Sequence, residues 1–413
     1  MKPRLALLLA AAALPAPAMG ASVEVHPYGF LMANYAQAWG RANAADVPTQ
    51  AVSGGVSAAS NQNTSLFTAR QSRIGLGLSG GKGPWDSDLS GVLEADFFGP
   101  RNSGSSSSDA LAAAPRLRLA YIQARRGDDV VVFGQDWIKA FAPLNPTSLA
   151  HTGTAPLSNS GNLWNRIPQL RWDRAWGLPR AWAINTKLAL VRSFTGDETG
   201  RTATAGGTTF AVPASLDTAG SGEFSGGPAY QALVELDKTA AGRHFVAGLS
   251  GQYLRETFNA ALPPPGGASN NQVAGWLVAA HFSLPFHPLF ELSGEAFYGH
   301  GNQNVNGLGS VYSDLGSVRQ SQVRGGWAQA AARARPDLRF DVMAGFEDVD
   351  QTGLAVASIY RNEAMALNAI WDASPELALS VELGRIHSYY VAALAGDSEN
   401  LGFAAQYKFG GKL

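Results

Sequence analysis

The 413-residue chain contains no cysteine. That excludes a disulfide framework and any thiolate metal site. Net charge is also nearly absent: 31 Lys and Arg stand against 32 Asp and Glu, a formal −1. Without a basic excess there is no electrostatic footprint for a nucleic-acid partner. Long apolar runs are missing too. Beyond residue 20 no stretch approaches the ~20 residues that a membrane-spanning helix requires. Histidine is sparse, and His26, His151, His244, His281, His287, His300 and His387 are scattered along the chain. No G-x-S-x-G and no H-E-x-x-H occurs. The sequence therefore offers no metal site, no cofactor site and no catalytic constellation.

The N-terminus carries a clear signal. In MKPRLALLLAAAALPAPAMGA, Lys2 and Arg4 precede an apolar core over Leu5–Leu14, and Ala18-Met19-Gly20 supplies small residues at the exit. This is the pattern of a secretory signal peptide, with cleavage expected after Gly20 and a mature chain of 21–413. An exported chain without a spanning helix is either soluble or crosses a membrane as a closed sheet.

Periodicity favours the sheet. Segments of period two begin at Val23–Gly40 and continue near 65–79, 85–98, 115–125, 129–138, 164–174, 181–194, 228–237, 243–256, 272–284, 289–300, 320–333, 337–348, 357–372, 376–390 and 399–409. That is about sixteen strands, most of them near the ~10 residues of a tilted membrane strand. Long connections rich in Gly, Ser, Asn and Thr alternate with short turns carrying Pro84, Gly127, Pro179, Gly242, Pro285, Pro336 or Pro375. Long loops at one rim and tight turns at the other give an even strand number with both termini on the turn side. One face of these strands is oily: Leu117, Leu119 and Tyr121; Trp182, Ile184, Leu188 and Leu190; Trp276, Val278 and Phe282; Met365, Leu367 and Trp371; Leu377, Leu379, Val381 and Leu383. About sixteen strands enclose a lumen too wide for side chains to fill, so the oily face is expected outside, against lipid. The expected fold is all-β: a transmembrane antiparallel up-and-down β-barrel in an outer membrane.

Residues 72–80, SRIGLGLSG, contain a G-x-G-x-x-G at Gly75, Gly77 and Gly80. A phosphate-binding turn needs a helix next, but GKGPWDSD follows, with Pro84 and no helical period. Ile74, Leu76 and Leu78 alternate with Arg73, Gly75 and Gly77, so the stretch reads as a strand with one oily face and one small, wet one.

The first third also carries a family likeness. Ser72 and Arg73, then Glu94, Asp96, Phe97 and Phe98, then Arg116, Arg118 and Tyr121, then Gly134, Gln135 and Trp137 together resemble the DcaP-like trimeric outer-membrane porin family. The resemblance is specific over about 65–175. It implies a sixteen-stranded homotrimeric porin in the outer membrane of a Gram-negative cell, passing small hydrophilic solutes with a lean toward anions such as dicarboxylates. In such porins a loop after this region folds into the lumen. Segment 139–163, KAFAPLNPTSLAHTGTAPLSNSGNL, lacks any period, holds three prolines and is the candidate constriction loop.

Parity places Arg73, Glu94, Asp96, Arg116, Arg118, Arg171 and Asp173 on the lumen side of adjacent strands. Fixed charges in such positions set which ions a pore favours. Two arrangements are open: the guanidiniums and carboxylates pair off, or the loop holds the arginines apart as a ladder for anions. Glu235, Asp237, Glu291, Glu295 and Glu382 share the lumen parity of the far wall. The other functional classes are a non-conducting barrel acting as an adhesin or structural protein, and a lipid-modifying enzyme.

Overall fold

The computed structural model describes residues 23–54, 63–99, 113–195, 201–205, 208–212, 220–258, 272–309, 311–314 and 317–411. The expected signal peptide, residues 1–20, and the terminal Leu413 lie outside them. Sixteen antiparallel strands close into one barrel. They are β1 Glu24–Trp39, β2 Thr64–Thr68 continued by Arg73–Lys82, β3 Asp88–Gly99, β4 Ala114–Arg126, β5 Asp129–Trp137, β6 Arg166–Leu178, β7 Trp182–Val191 and β8 Ala229–Ala240, then β9 Arg243–Thr257, β10 Gln272–His287, β11 Phe290–His300, β12 Gln322–Arg335, β13 Leu338–Val349, β14 Ile359–Asp372, β15 Leu377–Tyr390 and β16 Gly396–Gly410. Each strand pairs with the next, and β1 closes the ring on β16 from Tyr28 opposite Gly410 to Trp39 opposite Glu399. Among the described residues no helix is long and apolar enough to cross a membrane.

The hydrophobic side of the strands is outside. Leu31, Ile74, Leu93, Phe133, Leu188, Leu249, Val278, Leu367, Leu383 and Phe403 are exposed large apolar residues. Trp276 and Trp371, expected in an aromatic girdle, are exposed as well. Inward positions read Asn34, Glu94, Gln169, Gln231, Gln252, Glu295, Gln329, Asn368 and Glu382, all buried. An oily exterior around a polar interior is the inversion that a lipid solvent imposes. Several hairpins on the short-turn side have two consecutive residues of positive φ: Trp85 and Asp86, Arg180 and Ala181, Ala241 and Gly242. That is the primed-turn geometry whose twist matches the flanking strands.

Two irregularities shape the site. β2 breaks at Ala69–Ser72, where the Ser72 N–H bonds back to the Ala69 carbonyl at 3.0 Å, and the break turns Gln71 inward. β4 carries a β-bulge: Glu94 pairs with Leu119 while Ala95 pairs with Leu117, leaving Arg118 as the extra residue. A bulge shifts the side-chain alternation by one. The outward placement expected for Leu119 and Tyr121 is therefore corrected: Leu119 is buried inside, Tyr121 stands opposite the inward Val92, and Ile122 takes the outer face. Leu117, before the bulge, does point outward.

Candidate functional site

After Trp137 the chain leaves the wall and folds into the lumen, as expected for 139–163. The loop is pinned around the ring by bonds from successive strands. The Ala142 N–H reaches Ser250 Oγ on β9 at 3.3 Å, Leu144 N–H reaches Glu295 on β11 at 2.8 Å, and Thr147 N–H reaches Gln329 on β12 at 2.6 Å. On the far wall, Ser148 Oγ donates to Glu382 on β15 at 2.5 Å and His151 Nε2 lies 3.2 Å from the same carboxylate. Gln71 then grips the return: its Nε2 donates to Ala150 O at 2.8 Å, and its Oε1 accepts from the N–H groups of Thr152 and Gly153 at 2.8 and 3.0 Å. Further on, Asn362 Nδ2 donates to Asn159 O at 3.1 Å. The loop passes so close to β13 that a Cβ on Gly345 would collide with the Ser160 carbonyl.

Two other loops join it. Asn302 and Leu308 both donate to Glu347 of β13, at 2.5 and 2.6 Å, and Asn306 N–H donates to Trp164 O at 3.1 Å. Val305 is thereby buried in an apolar core inside the barrel with Phe141, Leu163, Leu277, Phe297, Val323 and Val349. From the first loop, Ala51 N–H donates to Ser388 Oγ at 2.9 Å and Arg70 pairs with Asp46.

Five of the seven expected site residues form one cluster under residues 152–153 of the constriction loop. Arg118 Nε lies 3.0 Å from Glu94 and its Nη1 2.7 Å from Asp96. Arg116 donates to both oxygens of Asp96, at 2.9 and 2.6 Å, and Arg73 Nη1 lies 3.5 Å from Glu94. Loop carbonyls cap the guanidiniums: Arg116 donates to Gly153 O at 2.7 Å and Arg73 to Thr152 O at 3.0 Å. Tyr28 donates to Glu94 at 3.0 Å. Its ring fills the space over Gly75, where any Cβ would collide with it, so this glycine of the G-x-G-x-x-G makes room for a tyrosine.

Arg171 and Asp173 stand apart, on β6. They pair with each other at 2.9 Å, and Arg171 also holds Asp136 at 3.0 Å. Of the far-wall acids, Glu235 lies 2.9 Å from His281, Asp237 lies 2.6 Å from His244, Glu291 accepts from Ser283 at 3.0 Å, and Glu295 and Glu382 hold the loop. Four further residues belong to the site. Asp136 binds Lys139 at 3.0 Å, and Arg339 binds Asp341 at 2.6 Å while reaching Thr147 Oγ1 at 3.2 Å. Inward parity on β5 and β13 is the signal that finds Asp136, Arg339 and Asp341.

Among solved structures, the chain is similar to the outer membrane channel DcaP of Acinetobacter baumannii, at 20% identity and a TM-score of 0.69 over 94% of this chain and 97% of that one. The fold is that of an outer-membrane porin. An anion-selective porin from Comamonas acidovorans aligns at 14% identity and a TM-score of 0.54 over 94% of this chain and all of its own length. Pseudomonas putida OprB aligns at 11% identity and a TM-score of 0.53 over 93% and 94%. No protein-family model matches the chain, and no curated protein does. The porin fold thus brings a closed wall, a constriction loop and a cluster of paired charges to one height of the lumen.

Proposed function

We propose that the chain is a passive diffusion porin that favours small anions. One observation carries the reading. In four ion pairs of the lumen the base meets water and the acid does not: Arg73, Arg116, Lys139 and Arg339 side chains are 16, 27, 43 and 18% exposed, whereas their partners Glu94, Asp96, Asp136 and Asp341 are 1, 1, 1 and 0% exposed. These four pairs turn their positive member toward water, while Arg171–Asp173 runs the other way at 3 and 21% exposed; the balance is positive toward the passage, and an ion in a low-dielectric-walled channel responds to the nearer charge. A dicarboxylate gains most, because exposed guanidiniums offer paired donors to each of its ends. The reading includes export through a signal peptide cleaved after Gly20, residence in a Gram-negative outer membrane and assembly as a homotrimer.

Reversal potentials across a planar bilayer in unequal potassium chloride test this. Chloride preference at low salt that fades toward high salt is the expected result. Potassium preference, or a folded barrel that does not conduct, would overturn it.

A further inference from the structure

The outer face of the wall is hollowed at β7–β10. Ala232 on β8 and Gly251 on β9 stand opposite each other and form a floor. Leu188 of β7 stands opposite Ala232 and Val278 of β10 opposite Gly251; both are exposed and form the sides. The next outward row toward the long-loop rim runs Tyr230, Tyr253, Trp276, three exposed aromatics side by side. The groove they enclose measures about 780 Å³. It exists because two small residues sit together among large ones. The backbone does not demand the glycine: a Cβ on Gly251 would meet the Leu277 carbonyl oxygen at an ordinary 3.6 Å.

Depth in the membrane follows from β10. From Trp276 to the exposed Phe286 that strand rises roughly 25 Å at a ~40° tilt, the height of the lipid-facing band of such a barrel. The aromatic row therefore stands at headgroup level, and the hollow beneath it faces acyl chains. Arg255 follows Tyr253 on the outer face of β9, exposed between the buried Leu254 and Glu256. Among the described residues its guanidinium bonds only to the Tyr253 hydroxyl, through Nε at 3.0 Å. Residues 259–271, which follow the strand, contain no Asp or Glu. Other exposed arginines along this edge are matched by acids: Arg324 by Asp348 at 2.7 Å, Arg361 by Glu363 at 2.6 Å and Arg385 by Asp397 at 3.1 Å.

We propose that the groove and Arg255 together seat one phosphate-bearing lipid of the outer leaflet, with an acyl chain in the hollow and the phosphate on the guanidinium. The proposal is independent of what the pore conducts. A hollow left empty in a bilayer loses dispersion contacts on its lining atoms, and at that depth acyl chain is the apolar material at hand. The bond from Nε to Tyr253 ties the guanidinium to the aromatic row and leaves its two terminal nitrogens for phosphate oxygens, which they meet as paired donors. A passing boundary lipid elsewhere meets a flatter wall or an arginine already paired. Here the apolar and the charged half of one lipid find their partners together.

Native mass spectrometry of the purified assembly in detergent tests this, with dioleoyl phosphatidic acid as the probe and dioleoyl phosphatidylcholine as the zwitterionic reference. The wild type should bind phosphatidic acid saturably and more tightly than phosphatidylcholine. Arg255→Gln should weaken phosphatidic acid by about tenfold, the worth of one charge-assisted hydrogen bond, and change phosphatidylcholine little. Gly251→Leu fills the hollow at a position with room for a side chain, and should weaken both lipids. Both changes lie on the outer face and bury no polar group, so the barrels should fold; Arg255→Gln decides alone if Gly251→Leu does not. Equal affinity of the wild type for the two lipids, or unchanged phosphatidic acid binding in Arg255→Gln, overturns the proposal. Unchanged binding of both lipids in folded Gly251→Leu overturns it as well. Full competition by glycerol 3-phosphate would mark a phosphate site that needs no acyl chain, and loss of the assembly in folded Gly251→Leu would mark a second copy in the groove; either overturns the lipid.

Discussion

Replacing Arg116 by Gln removes a charge that reaches the passage without orphaning the acid behind it. Asp96 keeps Arg118 at 2.7 Å and the Phe98 N–H at 3.1 Å. The barrel should fold, and only the local field should change. An ion passing about 7 Å from the guanidinium in water interacts with it by roughly 0.6 kcal/mol. At ~0.1 M salt, with a Debye length of about 10 Å, screening over that distance halves the energy to roughly 0.3 kcal/mol. Losing that term for anions and cations alike lowers the anion-to-cation permeability ratio by about threefold; at ~1 M, where the Debye length is about 3 Å, the change shrinks to about 1.2-fold. Reversal potentials measured at both salts read this directly. A shift missing at 0.1 M would show that Arg116 does not face the ion path, and one that survives at 1 M would show that the cause is not a screened charge. Arg118 makes the opposite control. It is buried between Glu94 and Asp96, and breaking such pairs costs about 3–5 kcal/mol. Arg118→Gln should therefore lower the temperature at which the folded band is lost on detergent gels, with a smaller effect on selectivity than Arg116→Gln.

Gln71→Ala removes four bonds that fix the loop at Ala150, Thr152 and Gly153, and single-channel records should show larger or noisier conductance with folding retained; wild-type records would refute the pinning role. Leu190 is exposed on the outer face, and an Arg near the bilayer midplane of a barrel costs about 2–4 kcal/mol, so Leu190→Arg should reduce insertion into vesicles. Ala189, one residue away, is buried inward beside Ala140 of the loop, so Ala189→Arg should insert but alter conductance; equal insertion yields for the two would contradict the inside-outside assignment. His151 lies on the loop. Burial pulls its pKa down, but the Glu382 carboxylate 3.2 Å away outweighs this and the net direction is up. The folded value exceeds the unfolded one of about 6.5, so the added hold on the loop is complete below about pH 6.5 and is lost as pH rises through the folded value. Hydrogen exchange over 148–153 should rise with pH beyond its chemical trend in the wild type and not in His151→Gln.

The strand count, the outward oily face and the inward loop were legible in the sequence because alternation and loop asymmetry are local patterns. What alternation could not supply was the bulge at Arg118. One extra residue leaves no mark in a run such as PRLRLAYIQ, yet it turns Leu119 and Tyr121 inward. Pairing was equally hidden, since Arg116 meets Asp96 only through a cross-strand register. The inward turns of 46–53 and 301–309 lie in long connections rich in small polar residues, a composition that does not say which way a loop folds. Val305 and Leu308 within the Asn- and Gly-rich QNVNGLG are the one hint that the latter packs on a core. Gln71 was invisible because its role comes from a break in β2.

Each buried acid behind an exposed base has a second holder. Glu94 has Arg118 and Tyr28, Asp96 has Arg118, Asp136 has Arg171, and Asp341 accepts from Gln329 at 3.2 Å. The water-facing member of each pair is thereby free to drift or be redesigned, since its removal leaves no carboxylate stranded. On the proposed function, single substitutions at Arg73, Arg116, Lys139 or Arg339 would retune permselectivity while the scaffold stays fixed, so a barrel of this design could diversify its cargo without first re-solving how to fold.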